Sequence, residues 1–156
     1  MKSLKIICVL ILVTCLACFA FTEEVKRVAK IISITGDVNV KLYGEETVWM
    51  PAKKGMILNE GDMIRTKSDS WALLSLNGEG QTANVEVEQN SKLLLSELVM
   101  EEEKGIQRTL LDLAIGEILI KAEKLDTPES KFEVKTPTSI VGVRGTRFSV
   151  RVEALE

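Results

Sequence analysis

Histidine is absent from the 156 residues, and the three cysteines, Cys8, Cys15 and Cys18, all lie within the first 20. Histidine is the usual general base near neutral pH and the commonest metal ligand, so most acid–base, zinc and iron chemistry loses its usual groups. No serine has a lysine three positions on, which removes the S-x-x-K arrangement of serine hydrolases. Beyond residue 20 the aromatic residues are Phe21, Tyr43, Trp49, Trp71, Phe132 and Phe148, few for the stacking platforms of a carbohydrate-processing cleft. Catalysis by carboxylates alone stays formally open. The inventory otherwise argues for a protein that is not an enzyme, with no cofactor, no metal and no small-molecule substrate.

Charge is also missing from residues 6–22, an apolar run preceded by Lys2 and Lys5. A basic start, a short apolar stretch and small residues after it form a secretory signal peptide, with cleavage expected after Ala20. The run is marginal as a membrane span, which needs about 20 apolar residues. Leu16-Ala17-Cys18 partly matches a bacterial lipobox, with Cys15 where leucine is usual, so a lipid anchor at Cys18 is the alternative fate. Cleavage after Ala20 would leave a chain with no cysteine, hence neither disulfide nor thiol nucleophile. The net charge of −3 becomes about −5 once Lys2 and Lys5 leave with the leader. An acidic surface without a Lys/Arg stripe repels phosphate backbones, which excludes nucleic acid as a partner. The expectation is export to the periplasm or cell envelope.

From Val25 onward, short apolar segments alternate with turn residues. Period-two alternation is plain in "VNVKLY", "VEVE", "KFEVK" and "FSVRVE", the pattern of half-buried strands. Asn77-Gly78 signals a hairpin, Gly36-Asp37 a turn, and the three prolines fall at segment edges. Residues 91–117 hold good helix formers, but the apolar runs have strand length, so two strands are expected, Lys92–Val99 and Thr109–Ile115, with Glu101–Glu103 in a solvated loop between them. Similar segments recur at about 20–25 residues, a hint of repeats. The fold class is all-β: a two-layered sandwich or a solenoid-like β stack.

Individual residues read mainly as structural. Asp37, Asp62 and Glu117 each neighbour a glycine without the D-x-D-x-D spacing of a calcium loop, which fits turns. Trp49 and Trp71 read as core residues. "TPTSIVGVRGTRFSV", residues 136–150, is not a phosphate loop: it lacks Gly-Lys-Ser/Thr and is followed by another alternating strand. A bulge near Gly145-Thr146 would let Val143, Phe148, Val150 and Val152 share an inward face. Arg144 would then tie up carbonyls left unpaired by the bulge or pair with a carboxylate such as Glu117, while Arg147 would be exposed as a partner contact.

Four stretches together resemble the FecR-domain family: "GDV" at 36–38, "LNEGDMIRT" at 58–66, "NSKLLLSEL" at 90–98 and "TPTSIVGVRGTRF" at 136–148. The last is the specific one. The resemblance places family-motif residues at Gly61, Asp62, Thr136, Pro137, Gly142, Val143, Arg144, Gly145, Thr146 and Phe148. It implies an all-β extracytoplasmic module over residues 30–152, after a leader at 1–20 and a lead-in at 21–29, and before a tail at 153–156. Founding members of that family are transmembrane regulators of iron-uptake signalling that carry a cytosolic anti-sigma segment. The five residues before the apolar run leave no room for such a segment, so the module alone is expected. The functional expectation is a sensory or regulatory module that binds another envelope protein. A scaffold that self-associates through strand edges or attaches to the cell wall is the alternative.

Overall fold

The computed structural model describes residues 24–44, 48–78, 80–125, 127–145 and 147–153, with backbone only for residues 77, 78 and 80–82. The expected leader, its three cysteines and the motif residue Thr146 lie outside the described residues. Thirteen strands follow in order: β1 (Glu24–Lys26), β2 (Val28–Thr35), β3 (Val38–Lys41), β4 (Met50–Pro51), β5 (Ile57–Leu58), β6 (Met63–Thr66), β7 (Trp71–Gly78), β8 (Gly80–Val87), β9 (Lys92–Glu101), β10 (Ile106–Ala122), β11 (Lys131–Lys135), β12 (Ile140–Val143) and β13 (Arg147–Val152). The fold is all-β. Among the described residues no helix is long and apolar enough to cross a membrane.

All thirteen strands belong to one hydrogen-bonded network, ordered β4-β3-β6-β9-β10-β8-β7-β2-β5 along its main path. Pairing is antiparallel except between β10 and β11. The network curls over a single core, to which Val40, Ile64, Leu93, Leu95 and Leu111 contribute from one arm and Ile31, Leu74, Val85, Ile118 and Ile120 from the other. Fully burying side chains of this kind contributes about 1.5–3 kcal/mol each. The all-β expectation holds, and the architecture is one curled sheet, a half-barrel whose two arms enclose the core.

β10 joins the arms. Its first half pairs with β9 and β11, and its second half with β8 and β13. Its buried residues change parity on the way, from Thr109, Leu111 and Leu113 to Ile118, Ile120 and Ala122. A register shift between Leu113 and Ile115 supplies the extra residue, and a bulge of this kind bends the strand. Gly116 completes the bend at φ +95°, with Ser91 packed so closely that an added Cβ would lie 2.1 Å from its hydroxyl oxygen. That hydroxyl accepts the Glu117 N–H at 2.9 Å and lies 3.1 Å from the Glu117 carbonyl, to which it can donate. The Ser91 N–H donates to Thr66 Oγ1, whose hydroxyl in turn donates to the Glu88 carbonyl.

A second tie between the arms comes from Arg27, in the segment expected as a lead-in. It is only 4% exposed. Its Nη1 donates to Thr109 Oγ1 on β10 at 3.0 Å and its Nη2 reaches the Leu76 carbonyl on β7 at 3.5 Å. Burial pushes its pKa down.

Several local expectations changed in detail. The 91–117 segment is two strands, longer than expected, with a single 3₁₀ turn, Glu102–Lys104, between them. Glu101 is not in a solvated loop: it ends β9, nearly buried, and accepts from Lys104 Nζ at 3.1 Å and Arg108 Nη1 at 2.8 Å. The β7–β8 hairpin forms, but Asn77 and Gly78 end β7, paired with Gln81 and Gly80, rather than forming the turn. Gly36-Asp37 carries the chain from one arm to the other, because β2 pairs with β7 and β3 with β6. Trp49 and Trp71 are both half-buried rather than core residues.

Gly116→Val should lower stability by at least ~1–3 kcal/mol from backbone strain alone, and Ser91→Ala by ~1–3 kcal/mol through the unpaired Glu117 N–H, both measured by urea unfolding. The Lys104 hydrogen bond, opposed by burial and assisted by Arg108, holds the Glu101 carboxyl below its usual pKa. Its stabilisation is therefore complete above the ordinary glutamate pKa and is lost as pH falls through the depressed one. The difference in urea midpoint between wild type and Glu101→Gln should shrink between pH 7 and about 3; a constant difference would contradict this account.

Candidate partner-binding surface

The motif at 136–148 forms a hairpin and a crossing between arms. β11 and β12 are joined by a tight turn in which Thr136, itself buried, makes three bonds to Ser139. Its N–H donates to the Ser139 carbonyl at 2.8 Å, its hydroxyl donates to the same carbonyl at 3.1 Å, and its Oγ1 accepts the Ser139 N–H at 3.0 Å. Pro137 sits exposed in the turn. The side-chain bonds to the local backbone and the absence of an N–H at Pro137 suit this reversal.

That turn sets the hydrogen-bond phase of the hairpin. Antiparallel pairs alternate between bonded and non-bonded, and Thr136/Ser139 is bonded. With Val134 opposite Val141 and Phe132 opposite Val143, those pairs are bonded too. Ile140 and Gly142 therefore direct their N–H and C=O groups away from β11. Among the described residues β12 has no second neighbour. Ile140 is 63% and Val141 37% exposed, and nothing lies within 4 Å of where a Gly142 Cβ would be.

The other strand edges are guarded or short. β4 ends in Pro51, β5 has two residues, β1 has three with Glu24 and Lys26 among them, and β13 carries Arg147 and Arg151. Natural sheets blunt their edges with such charges, prolines and short strands. β12, with the sequence Ile-Val-Gly-Val, has no charge and no proline.

The remaining motif residues lie apart from this edge or beneath it. Val143 is buried against Phe132. Arg144 is exposed rather than buried over a bulge, and its Nη2 donates to the Pro128 carbonyl at 2.5 Å. Glu117 instead binds Arg151, at 2.5 and 3.0 Å. The chain does not bulge within one strand at Gly145. It crosses from β12 in one arm to β13 in the other, with Gly145 at φ +81° and so close to the 123–124 backbone that a Cβ would lie 2.5 Å from Lys124 Cα. Phe148 is half-buried against the core. Arg147 is exposed on β13 opposite Lys121, beside a cleft that Glu86 and Leu119 also line.

Gly61 and Asp62 belong elsewhere. The Gly61 N–H donates to the Leu95 carbonyl at 2.7 Å. Asp62 is 3% exposed, and its carboxylate accepts the N–H groups of Tyr43 and Asn59, each at 2.7 Å. β9, β10 and β11 separate this knot from β12, about 19 Å at ~4.8 Å per strand spacing. The motif residues therefore do not converge on one pocket. Among the described residues no three carboxylate, thiol or imidazole groups gather as a metal site requires.

Sequence reasoning singled out Gly142 but passed over Ile140 and Val141. Their signal was present: an apolar strand following a tight turn, with no guarding charge. A comparison with protein families matches the chain over residues 62–155 to the model described as FecR protein. No curated protein matches, and no solved structure does. The matched segment runs from the Asp62 knot through β12 and β13 and covers well over half the chain, so this protein belongs to the FecR family, a family of non-enzymatic regulators in signal transduction.

Proposed function

We propose that the chain is an exported FecR module that binds an extended segment of another cell-envelope protein by strand addition along β12, in a sensory or regulatory role. The observation that carries this reading is Gly142. Unlike Gly145, it has no left-handed φ and no neighbour that a side chain would strike, so the fold itself does not need glycine there. A glycine in a strand also serves where another backbone approaches closely. An incoming strand would meet the outward N–H and C=O groups of Ile140 and Gly142, with Ile140 and Val141 supplying apolar contact; main-chain bonds give affinity in this mode and side-chain pockets give specificity. In this reading Thr136, Arg144, Gly145 and Phe148 support the fold around the surface rather than touch the partner, Gly61 and Asp62 serve the fold away from it, and Arg147 on β13 is a secondary contact.

The same edge is open to a second copy of the chain, which is the scaffold reading. Crosslinking of the native protein in its host, followed by mass spectrometry, separates the two. A stoichiometric transmembrane or receptor protein is the expected product; recovery of only the chain itself or cell-wall material would favour the scaffold. Gly142→Leu and Ile140→Lys should each reduce the captured partner at least about tenfold, as loss of a few edge contacts implies. Their melting temperatures should stay near wild type, because both positions are exposed. Undiminished capture by both variants would sink the β12 assignment. Arg144→Ala should cost less than about 1 kcal/mol, as an exposed hydrogen bond does. Gly145→Val should cost several times more, and urea unfolding of the two compares them directly.

A further inference from the structure

On the outer face of the other end of the sheet, Arg65 on β6 stands directly opposite Lys92 on β9. Their chain neighbours Ile64, Thr66, Ser91 and Leu93 are all buried, so both cations share the outward face. Directly opposed residues on one face have Cβ atoms about 4.5–5.5 Å apart, and like charges in that position destabilise a sheet. Neither cation has an ion pair among the described residues. Arg65 stacks on Trp49 instead, its guanidinium carbon 4.3 Å from the ring centre, and its Nε is buried without a hydrogen-bond partner. Asp37, whose charge acts on Arg65, is taken up by Lys67 at 2.5 Å and by the Asn39 amide.

Trp49, Arg65, Lys67 and Lys92 line an open cleft of about 470 Å³ that also includes Asn90 and Ile115, within the size range of small-ligand sites. The Asn90 amide oxygen receives the Ser68 hydroxyl at 3.3 Å, which leaves its NH₂ donors for a ligand. The Thr66 and Ser91 hydroxyls are spent on the floor of the cleft, on the Glu88 and Glu117 backbone. The groups left facing the cleft are donors and cations, in a chain whose net charge is −3.

We propose that the Trp49–Arg65–Lys92 cleft binds an oxyanion, phosphate or carboxylate, carried on a sugar-sized body. A planar guanidinium held flat by an indole presents its edge donors in the fork that matches such an anion, and Lys92 adds a second charge from the adjacent strand. The opposed cations repel each other across the strand pair, and a bound anion offsets that repulsion. The site is distinct from β12 and does not depend on the partner reading.

The test uses the full chain carrying Trp71→Phe, which leaves Trp49 as the sole indole. Trp49 fluorescence is titrated with glucose 6-phosphate, glucuronate and glucose. A saturable response to either anion and none to glucose is expected, and the tighter of the two identifies phosphate or carboxylate as the source. Arg65→Gln and Lys92→Gln should each weaken binding at least about tenfold, the effect of losing one charge-assisted contact. The anion should raise the melting temperature of the parent and leave that of both variants in place. No saturable response to either anion up to about 10 mM, an equal response to glucose, or unchanged affinity in both variants would overturn the proposal.

Discussion

One hydroxyl, that of Ser91, holds the place where a single strand changes sides. β10 serves both arms of the sheet only because it bends at Gly116, and the bend is kept by Ser91 accepting the Glu117 N–H from within van der Waals contact of the glycine. A bent strand leaves backbone groups out of phase with the ladder, and buried groups of that kind must be paired. Thr66 extends the arrangement, linking Ser91 on one arm to the Glu88 carbonyl at the end of β8 on the other. The core residues on either side of the bend, Leu113 and Ile118, lie fully inside because of it.

Much of this fold was legible in the residues. The alternation in "KFEVK" and "FSVRVE" corresponds to β11 and β13, and the helix-forming residues around 91–117 lie in strands because β9 and β10 are both flanked and buried by other strands. The bend in β10 was less visible, although its trace is in the text: Leu111 and Leu113 face inward at odd positions, Ile118 and Ile120 at even ones. The same parity argument was applied between Val143 and Phe148, where it suggested a bulge. There the change of phase comes from a crossing between two arms, and one sequence cannot tell those two cases apart because both add residues between inward-facing positions. The tryptophans were misread because a large aromatic ring suits both a core and a platform, and which of these holds depends on neighbours such as Arg65 that the sequence places 16 residues away.

The proposed partner surface was legible only in outline. The 136–148 motif includes the edge strand on which the proposal rests, but a motif does not distinguish residues kept for folding from those kept for contact. Gly145 and Gly142 are three residues apart and look alike in the text; one is pressed against Lys124 and the other faces open space. Asp62 looked like a turn residue and is one, since its carboxylate is consumed by two backbone N–H groups. The opposed Arg65 and Lys92 could not be seen at all, because strand register decides which side chains meet and register is a property of the assembled sheet.

The position of β13 in the sheet has a kinetic consequence. It is the last of the described strands in chain order, yet it flanks the second half of β10 and contributes Val150 to the core. One arm therefore cannot close until residues 147–152 have been made. β10, in the middle of the sheet, waits on partners from both directions along the chain, and such non-local pairing is slow to form. A growing polypeptide of this design keeps that arm open until residue 152 has emerged.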